Sequence, residues 1–334
     1  MHCELVVPAL FAAHEAPRLP ALELLLARGR PAREQPLSLE PWFAQAFELA
    51  EGSVPAGAIT ALADGADAGG PIAEFCWLRA DPVHLRIERD GMTLIPSAGF
   101  SISRDEAEAF AAALNHHFSE ELAIVVCSPD RWCLRSARDI ALDALAPIEL
   151  AGQQLDANLP RGPQAARWHA LLNEIQMALH DHPVNLEREQ KGEPAVNSVW
   201  FWGAGRLPGA ARGPWHSVNV GDPFATGLAK LAGLRHRALP GTASDWLERA
   251  PEEGRHLVVL DALRGALALG GPDSHAERLA ALEAHWFAPL LEALRRGRVG
   301  MITLRVPDAG ASHETVRGDL RRFWRRAQPI TAYA

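Results

Sequence analysis

Between Trp168 and Gly209 the chain gathers side chains able to grip an anion: His180, His182, Asn185 and Arg188, followed by Asn197, Trp202 and Arg206. Imidazole, amide and guanidinium groups supply the N–H donors that a carboxylate or phosphate needs, and arginine offers them as a planar fork. Plainer roles compete with this one. Histidines near a helix C-terminus face exposed carbonyls without being ligands, surface arginines are ordinarily solvated, and Trp200 and Trp202 suit a core or a pocket wall.

The elements that must position these groups are legible. Trp168, Leu171, Leu172, Ile175 and Leu179 recur at the spacing of one face of a helix. Pro183 cannot continue that helix and disfavours the α region for His182, so the helix is predicted to stop near His180 or Asp181, leaving His182, Asn185 and Arg188 exposed beyond it. Val196 to Trp202 is short, β-branched and aromatic, the pattern of a strand buried on both faces. Gly203-Ala204-Gly205-Arg206 then predicts a glycine turn at the carboxyl end of a strand, where open α/β sheets place ligands. No full G-x-G-x-x-G run follows it.

With 334 residues and 48% apolar content the chain can bury a sizeable core and is long enough for two domains. A formal charge of -8 argues against nucleic acid as a partner. The basic run Arg321, Arg322, Arg325 and Arg326 is read as the solvated face of a C-terminal amphipathic helix. No run of about eighteen apolar residues predicts a membrane span, and no secretory leader is evident at the start. The four cysteines, Cys3, Cys76, Cys127 and Cys133, lack C-x-x-C spacing. Free thiols in a cytoplasmic protein, without a disulfide framework, metal or cofactor, are expected.

Along the chain, Glu4 to Leu10 predicts a strand, and Pro20 to Arg28 and Pro41 to Ala50 predict helices. Gly52 to Gly70 reads as a connection without periodicity. Cys76 to Leu85 and Gly91 to Pro96 alternate like a hairpin around Arg89-Asp90-Gly91. Ser103 and Glu106 form a capping box for a helix to about Phe118, and Leu122 to Cys127 with Trp132 to Ser136 predict a second hairpin. These make a compact α+β unit over residues 75–147. Beyond it come Ser217 to Val220, a helix at Pro223 to Ala232, a helix at Asp245 to Ala250 capped by Ser244, a strand at His256 to Leu263, a helix at His275 to Gly297 and a strand at Val299 to Val306. Strands alternating with helices imply a mostly parallel sheet covered on both faces, an α/β fold.

The phrase HDHPVNLEREQKGEPAVNSVWFWGAG, starting at His180, resembles a segment of the archaeal-type cofactor-independent phosphoglycerate mutases of the alkaline phosphatase superfamily. LPALELLLARG, FCWLRADPVHL and KLAGLRHRALPGTASDWL extend the likeness. The phrases LNEIQMALHDHPVN and NSVWFWGAG are also similar to the RpfE-type regulatory proteins of proteobacteria. This resemblance implies an alkaline-phosphatase-like core from residues 1–74 and 148–334, its mostly parallel sheet sandwiched by helices, with 75–147 inserted as an α+β domain.

The resemblance also implies a metal pair held by Asp and His and a phosphoryl-accepting serine, and there the sequence departs. LVVPALF, from Leu5 to Phe11, has no carboxylate where the family's first strand ends in Asp-Gly. HLVVLDALRGALALGGPDSH keeps Asp261, Asp273 and His275 without an Asp-x-x-x-His spacing, and the last core strand leads only to Asp308. Ser53 has no neighbouring group to activate it. A non-catalytic protein binding a small anion or phosphorylated metabolite is therefore expected, through His180, His182, Asn185, Arg188, Asn197, Trp202 and Arg206, with Arg79, Asp81 and His84 on a facing wall. The competing expectations are a rearranged mutase or phosphatase holding one metal on Asp261, Asp273, His275 and Asp308, and a purely structural or partner-binding role.

Overall fold

A computed structural model describes residues 1–13, 15–50, 52, 54–66, 70–89, 91–118, 123–250 and 253–333. The chain opens with β1 (His2–Val6), α1 (Pro20–Arg28), β2 (Arg30–Arg33) and α2 (Leu39–Ala46). It then builds a second unit from α3 (Ala56–Asp64), β3 (Cys76–Glu88), β4 (Gly91–Pro96), α4 (Arg104–His117), β5 (Ile124–Ser128), β6 (Arg131–Ser136), α5 (Pro147–Leu150), α6 (Ala165–His180), α7 (Pro183–Gln190) and β7 (Ser198–Arg206). It returns to the first unit through β8 (Ser217–Asn219), α8 (Pro223–Leu231), β9 (Arg235–Arg237), α9 (Ala243–Arg249), β10 (Arg255–Val259), α10 (Ala266–Leu282), α11 (Ala288–Arg296), β11 (Met301–Val306) and β12 (Ala311–Val316). The two units are residues 1–49 with 211–334, and residues 50–210.

The first unit holds a seven-stranded sheet in the order β2-β12-β11-β1-β10-β8-β9. β1, β8, β9, β10 and β11 run parallel, and β12 and β2 close one side antiparallel. Alternation along the strands sorts the two faces. Cys3, Leu5, Val258, Ile302 and Leu304 meet Leu22 and Leu26 of α1, Trp246 of α9 and Leu290 of α11 in one apolar cluster. Elsewhere the Phe43 ring packs edge-on against Phe47 and tilted against Phe224, and Phe47 packs tilted against Trp215. Each fully buried Leu or Phe contributes about 1.5–3 kcal/mol. The expected mostly parallel sheet clothed by helices is found.

The second unit is an antiparallel sheet organised on the long β3, which pairs with β4, β6 and β7. Here the expected boundaries change. β7 hydrogen-bonds along β3 from Cys76↔Arg206 to Val83↔Ser198, so the Trp168 to Gly209 stretch belongs with 75–147 rather than with the parallel sheet. The Gly52 to Gly70 stretch is no mere connection, because its Ala-rich centre forms α3 with Ala56, Ala58, Ile59 and Ala61 buried. The capping box appears as read: Ser103 Oγ accepts from the Glu106 N–H at 3.2 Å and the Ser103 N–H donates to Glu106 at 2.7 Å.

Other expectations shift. Pro183 ends α6 but starts α7 at its first turn, where a missing N–H costs nothing. Thr242, not Ser244, caps α9. β2 and β12 were not legible in the pattern, and Arg321 ends a short 3₁₀ turn at Arg317–Arg321 that Arg322, Arg325 and Arg326 follow, in place of the expected amphipathic helix. Ser53, Asp90 and Leu122 lie outside the described residues. Among the described residues no helix is long and apolar enough to cross a membrane.

Candidate functional site

The structure does not bring the anion-gripping residues to one surface; it gives most of them protein partners. Arg188 is 1% exposed: Nε donates to Pro194 O at 2.8 Å, one terminal nitrogen to Glu106 at 2.9 Å and the other to Ser101 O at 2.9 Å. Asn185 is equally committed, giving Nδ2 to the carbonyls of Leu179 and Val196 and taking the Val196 N–H on Oδ1. Asn197 clamps both backbone groups of Leu85, at 2.7 and 2.8 Å. The expected exposure of Asn185 and Arg188 is thereby corrected, since α7 turns them inward to tie α4 and the strand Ser198–Arg206 together.

The others scatter. His84 meets Ala195 O at 2.9 Å. His182 caps α7, its Nδ1 accepting the Val184 N–H at 3.3 Å beside the Phe110 ring, and burial lowers its pKa. His180 sits exposed near Asp181. Arg206 donates to Asp139 at 2.5 Å and Glu74 O at 2.8 Å. Arg79, Asp81 and Trp202 do form a cluster: Arg79 donates to Asp81 at 3.0 and 2.5 Å, and the Trp202 indole N–H donates to the other Asp81 oxygen at 2.7 Å. Burial pushes the Asp81 pKa up even so, against the pull of Arg79 and Trp202. The cluster is internally satisfied.

The glycine turn is also revised. Gly203 and Gly205 lie inside β7, and a Cβ on either would stand 2.5 or 2.7 Å from the Cβ of Ala56 or Pro55. These glycines serve the close approach of α3, with Gly203 at a φ of 62°. No ligand loop is needed to explain them.

Parallel strands send their carboxyl ends to one edge of a sheet, the usual place for a ligand in an open α/β fold. In the first unit that edge collects Ala9 after β1, Asp222 after β8, Asp261 after β10 and Asp308 after β11. Ala9 holds a left-handed φ of 59°. Its N–H donates to Asp308 at 2.9 Å, and its carbonyl accepts Nε2–H of His275 at 3.1 Å. His275 is fully buried, and its Nδ1 has no partner among the described residues.

Alongside, Arg264 grips Glu40 with two bonds, at 2.8 and 2.7 Å. Asp222 caps α8 by accepting the Ala225 N–H at 2.8 Å. Burial, reinforced by Glu40, pushes the Asp222 carboxyl up to about 6, and burial raises Asp261 too. Among the described residues no group of three or more His, Cys, Asp or Glu side chains is arranged to hold a metal. The metal pair implied by the resemblance does not fit the donors present: Asp308 and His275 are turned onto the backbone N–H and carbonyl of Ala9, Asp222 caps α8 and Glu40 is gripped by Arg264.

The chain is similar to phosphoglycerate mutases. It is 30% identical over 203 residues to a 2,3-bisphosphoglycerate-independent phosphoglycerate mutase of Methanosarcina mazei, a match covering 58% of this chain and 50% of that protein. A protein of the same name from Methanosarcina acetivorans is 28% identical over 264 residues, 75% of this chain and 65% of its own. The chain thus spans half to two thirds of the length of these relatives. The PH0037 protein from Pyrococcus horikoshii shares the fold, with a TM-score of 0.57, 14% identity, and coverage of 94% of this chain and 87% of that one. No protein-family model matches the chain.

Sequence reasoning missed Glu40, Asp222 and Arg264. The signal available was positional: Asp222 directly precedes Pro223, an Asp-Pro helix start after a strand. Nothing in the sequence pairs Glu40 with Arg264, which are 224 positions apart.

Proposed function

We propose that the chain is a non-catalytic relative of the cofactor-independent phosphoglycerate mutases. It keeps an alkaline-phosphatase-like framework and acts in the cytoplasm as a regulatory protein responsive to a small phosphorylated metabolite, in the manner the RpfE resemblance implies. The observation that carries this reading is the use of Ala9. Its backbone occupies both Asp308 and His275 at the sheet edge where the resemblance implies a metal site. A two-metal centre needs carboxylates and imidazoles free to clamp the attacking and leaving oxygens. Here Asp308 is engaged by a peptide N–H, Asp222 by a helix cap and Glu40 by a guanidinium.

The test is an assay of 3-phosphoglycerate to 2-phosphoglycerate interconversion in the presence of manganese, run beside metal analysis of protein purified without chelator. The expected outcome is no chelator-sensitive turnover and no stoichiometric metal. Turnover abolished by chelator would sink the proposal and favour a mutase or phosphatase with a centre rearranged around Asp261, Asp273, His275 and Asp308.

A further inference from the structure

Two cavities in the first unit treat their arginines differently. The smaller, about 210 Å³, is lined by Glu4, Glu34, Trp42, Trp215, Arg255 and Arg305 among others. Its cations are matched inside the protein. Glu4 takes the Trp215 indole N–H at 2.6 Å, Arg255 at 2.7 Å and also Arg305, which in turn reaches Glu34. Burial alone would raise the Glu4 pKa, but Arg305, Trp215 and Arg255 hold it below the ordinary value. Such a cavity has no net charge to offer.

The larger cavity, about 430 Å³, lies at the antiparallel side of the sheet. It is lined by Arg33 of β2, His313 of β12, and Arg325, Arg326 and Tyr333 of the C-terminal segment. Leu26, Pro31, Ala311 and Ala332 give it apolar walls. Among the described residues no carboxylate lines it. Arg325 donates to Gly29 O at 2.7 Å, whereas Arg33 and Arg326 have no ion-pair partner among the described residues. His313 is 8% exposed, its Nδ1 has no partner among the described residues, and the Tyr333 ring stands edge-on to it at 6.0 Å. Burial, assisted by Arg33, keeps the imidazole pKa low, so the positive charge here belongs to the arginines. Three guanidinium groups thus border an apolar cup that no carboxylate among the described residues lines, in a chain whose formal charge is -8, which leaves their N–H donors open to an anion.

We propose that this cavity binds a small organic anion with a flat apolar body, an aryl or short acyl phosphate or carboxylate. Its charged end lies between Arg33 and Arg326, and its body lies against Pro31, Ala311 and Tyr333. Guanidinium forks recognise the oxyanion, and ring and aliphatic surface exclude water around it. The inference concerns a different part of the first unit from the Ala9 edge and stands whether or not the chain catalyses a reaction.

The test is calorimetric titration of the full chain with phenyl phosphate and, separately, with inorganic phosphate. Phenyl phosphate is expected to bind saturably at one site and more tightly than inorganic phosphate. Arg33→Ala and Arg326→Ala, both at exposed positions, should each weaken it about tenfold. Tyr333→Ala should weaken phenyl phosphate while leaving inorganic phosphate unchanged, and Arg104→Ala, on α4 of the other unit, should change neither. Absence of saturable binding, or affinity indifferent to both arginine variants, overturns the site. Equal affinity for the two probes overturns the ligand class.

Discussion

Asp308 accepts the backbone N–H of Ala9 at 2.9 Å, which pins a non-glycine residue in left-handed geometry at the carboxyl end of β1. For an L-residue that geometry costs about 1–2 kcal/mol, and the contacts from Asp308 and His275 offset it. Ala9→Gly should therefore stabilise the fold by about 0.5 kcal/mol once its looser unfolded state is counted. Asp308→Ala should destabilise it by about 1 kcal/mol. Urea unfolding of the two variants checks both signs. Stabilisation by Asp308→Ala would mean that the carboxylate is held under strain for another purpose.

The Asp222 carboxyl is raised from an ordinary 3.8 to about 6 in the folded chain. The unfolded chain gives up this proton first as pH rises, so ionisation penalises the folded state. The contribution of Asp222 to stability should accordingly fall between about pH 4 and pH 6 and be level above. Asp222→Asn keeps a side-chain oxygen for capping α8 and should flatten that part of the profile. Thermal unfolding across the range measures it, and an identical slope in the variant would contradict the assignment.

Periodicity exposed α6 because its apolar face repeats within one element, and α4 was legible from the local signal of the Ser103 and Glu106 capping box. The parallel sheet followed from alternating strands and helices. What stayed hidden was non-local. Ser198–Arg206 reads as a buried strand whichever sheet it joins, and only its pairing with β3 decides the unit boundary. Arg188 looks like a surface arginine in sequence because two of its partners, Ser101 and Glu106, lie more than eighty positions away. The departures at Leu5 to Phe11 were visible as missing carboxylates. The turn of Asp308 and His275 onto Ala9 was not, since it depends on three separate segments meeting.

Arg188 is the hub that joins α4, α7 and the approach to β7, so its loss should be felt as stability rather than as ligand affinity. Arg188→Met removes the charge but leaves the carbonyls of Ser101 and Pro194 without donors, and should cost about 3 kcal/mol. Arg188→Lys should recover little, because one ammonium cannot span partners that a planar fork reaches together. Denaturant midpoints of the two variants, with circular dichroism to confirm folding, decide the matter. A near-neutral Arg188→Met would return this arginine to the list of residues available to a ligand.

The packing of α3 gives the sharpest steric prediction. A Cβ placed on Gly57 would lie 2.6 Å from the Cα and N of Leu78, which are backbone atoms of β3 that cannot step aside. A Cβ on Gly203 would meet Ala56 at 2.5 Å from a φ of 62°. Ala is the better helix former by about 1 kcal/mol, so propensity alone predicts that Gly57→Ala stabilises. Overpacking against fixed backbone costs about 1–3 kcal/mol or more, and the helix must lift from the sheet to relieve it. Gly57→Ala is thus expected to lower the unfolding midpoint, with Gly203→Ala doing so further because it adds backbone strain. A raised midpoint for Gly57→Ala would show that α3 sits farther from β3 than the described contacts place it.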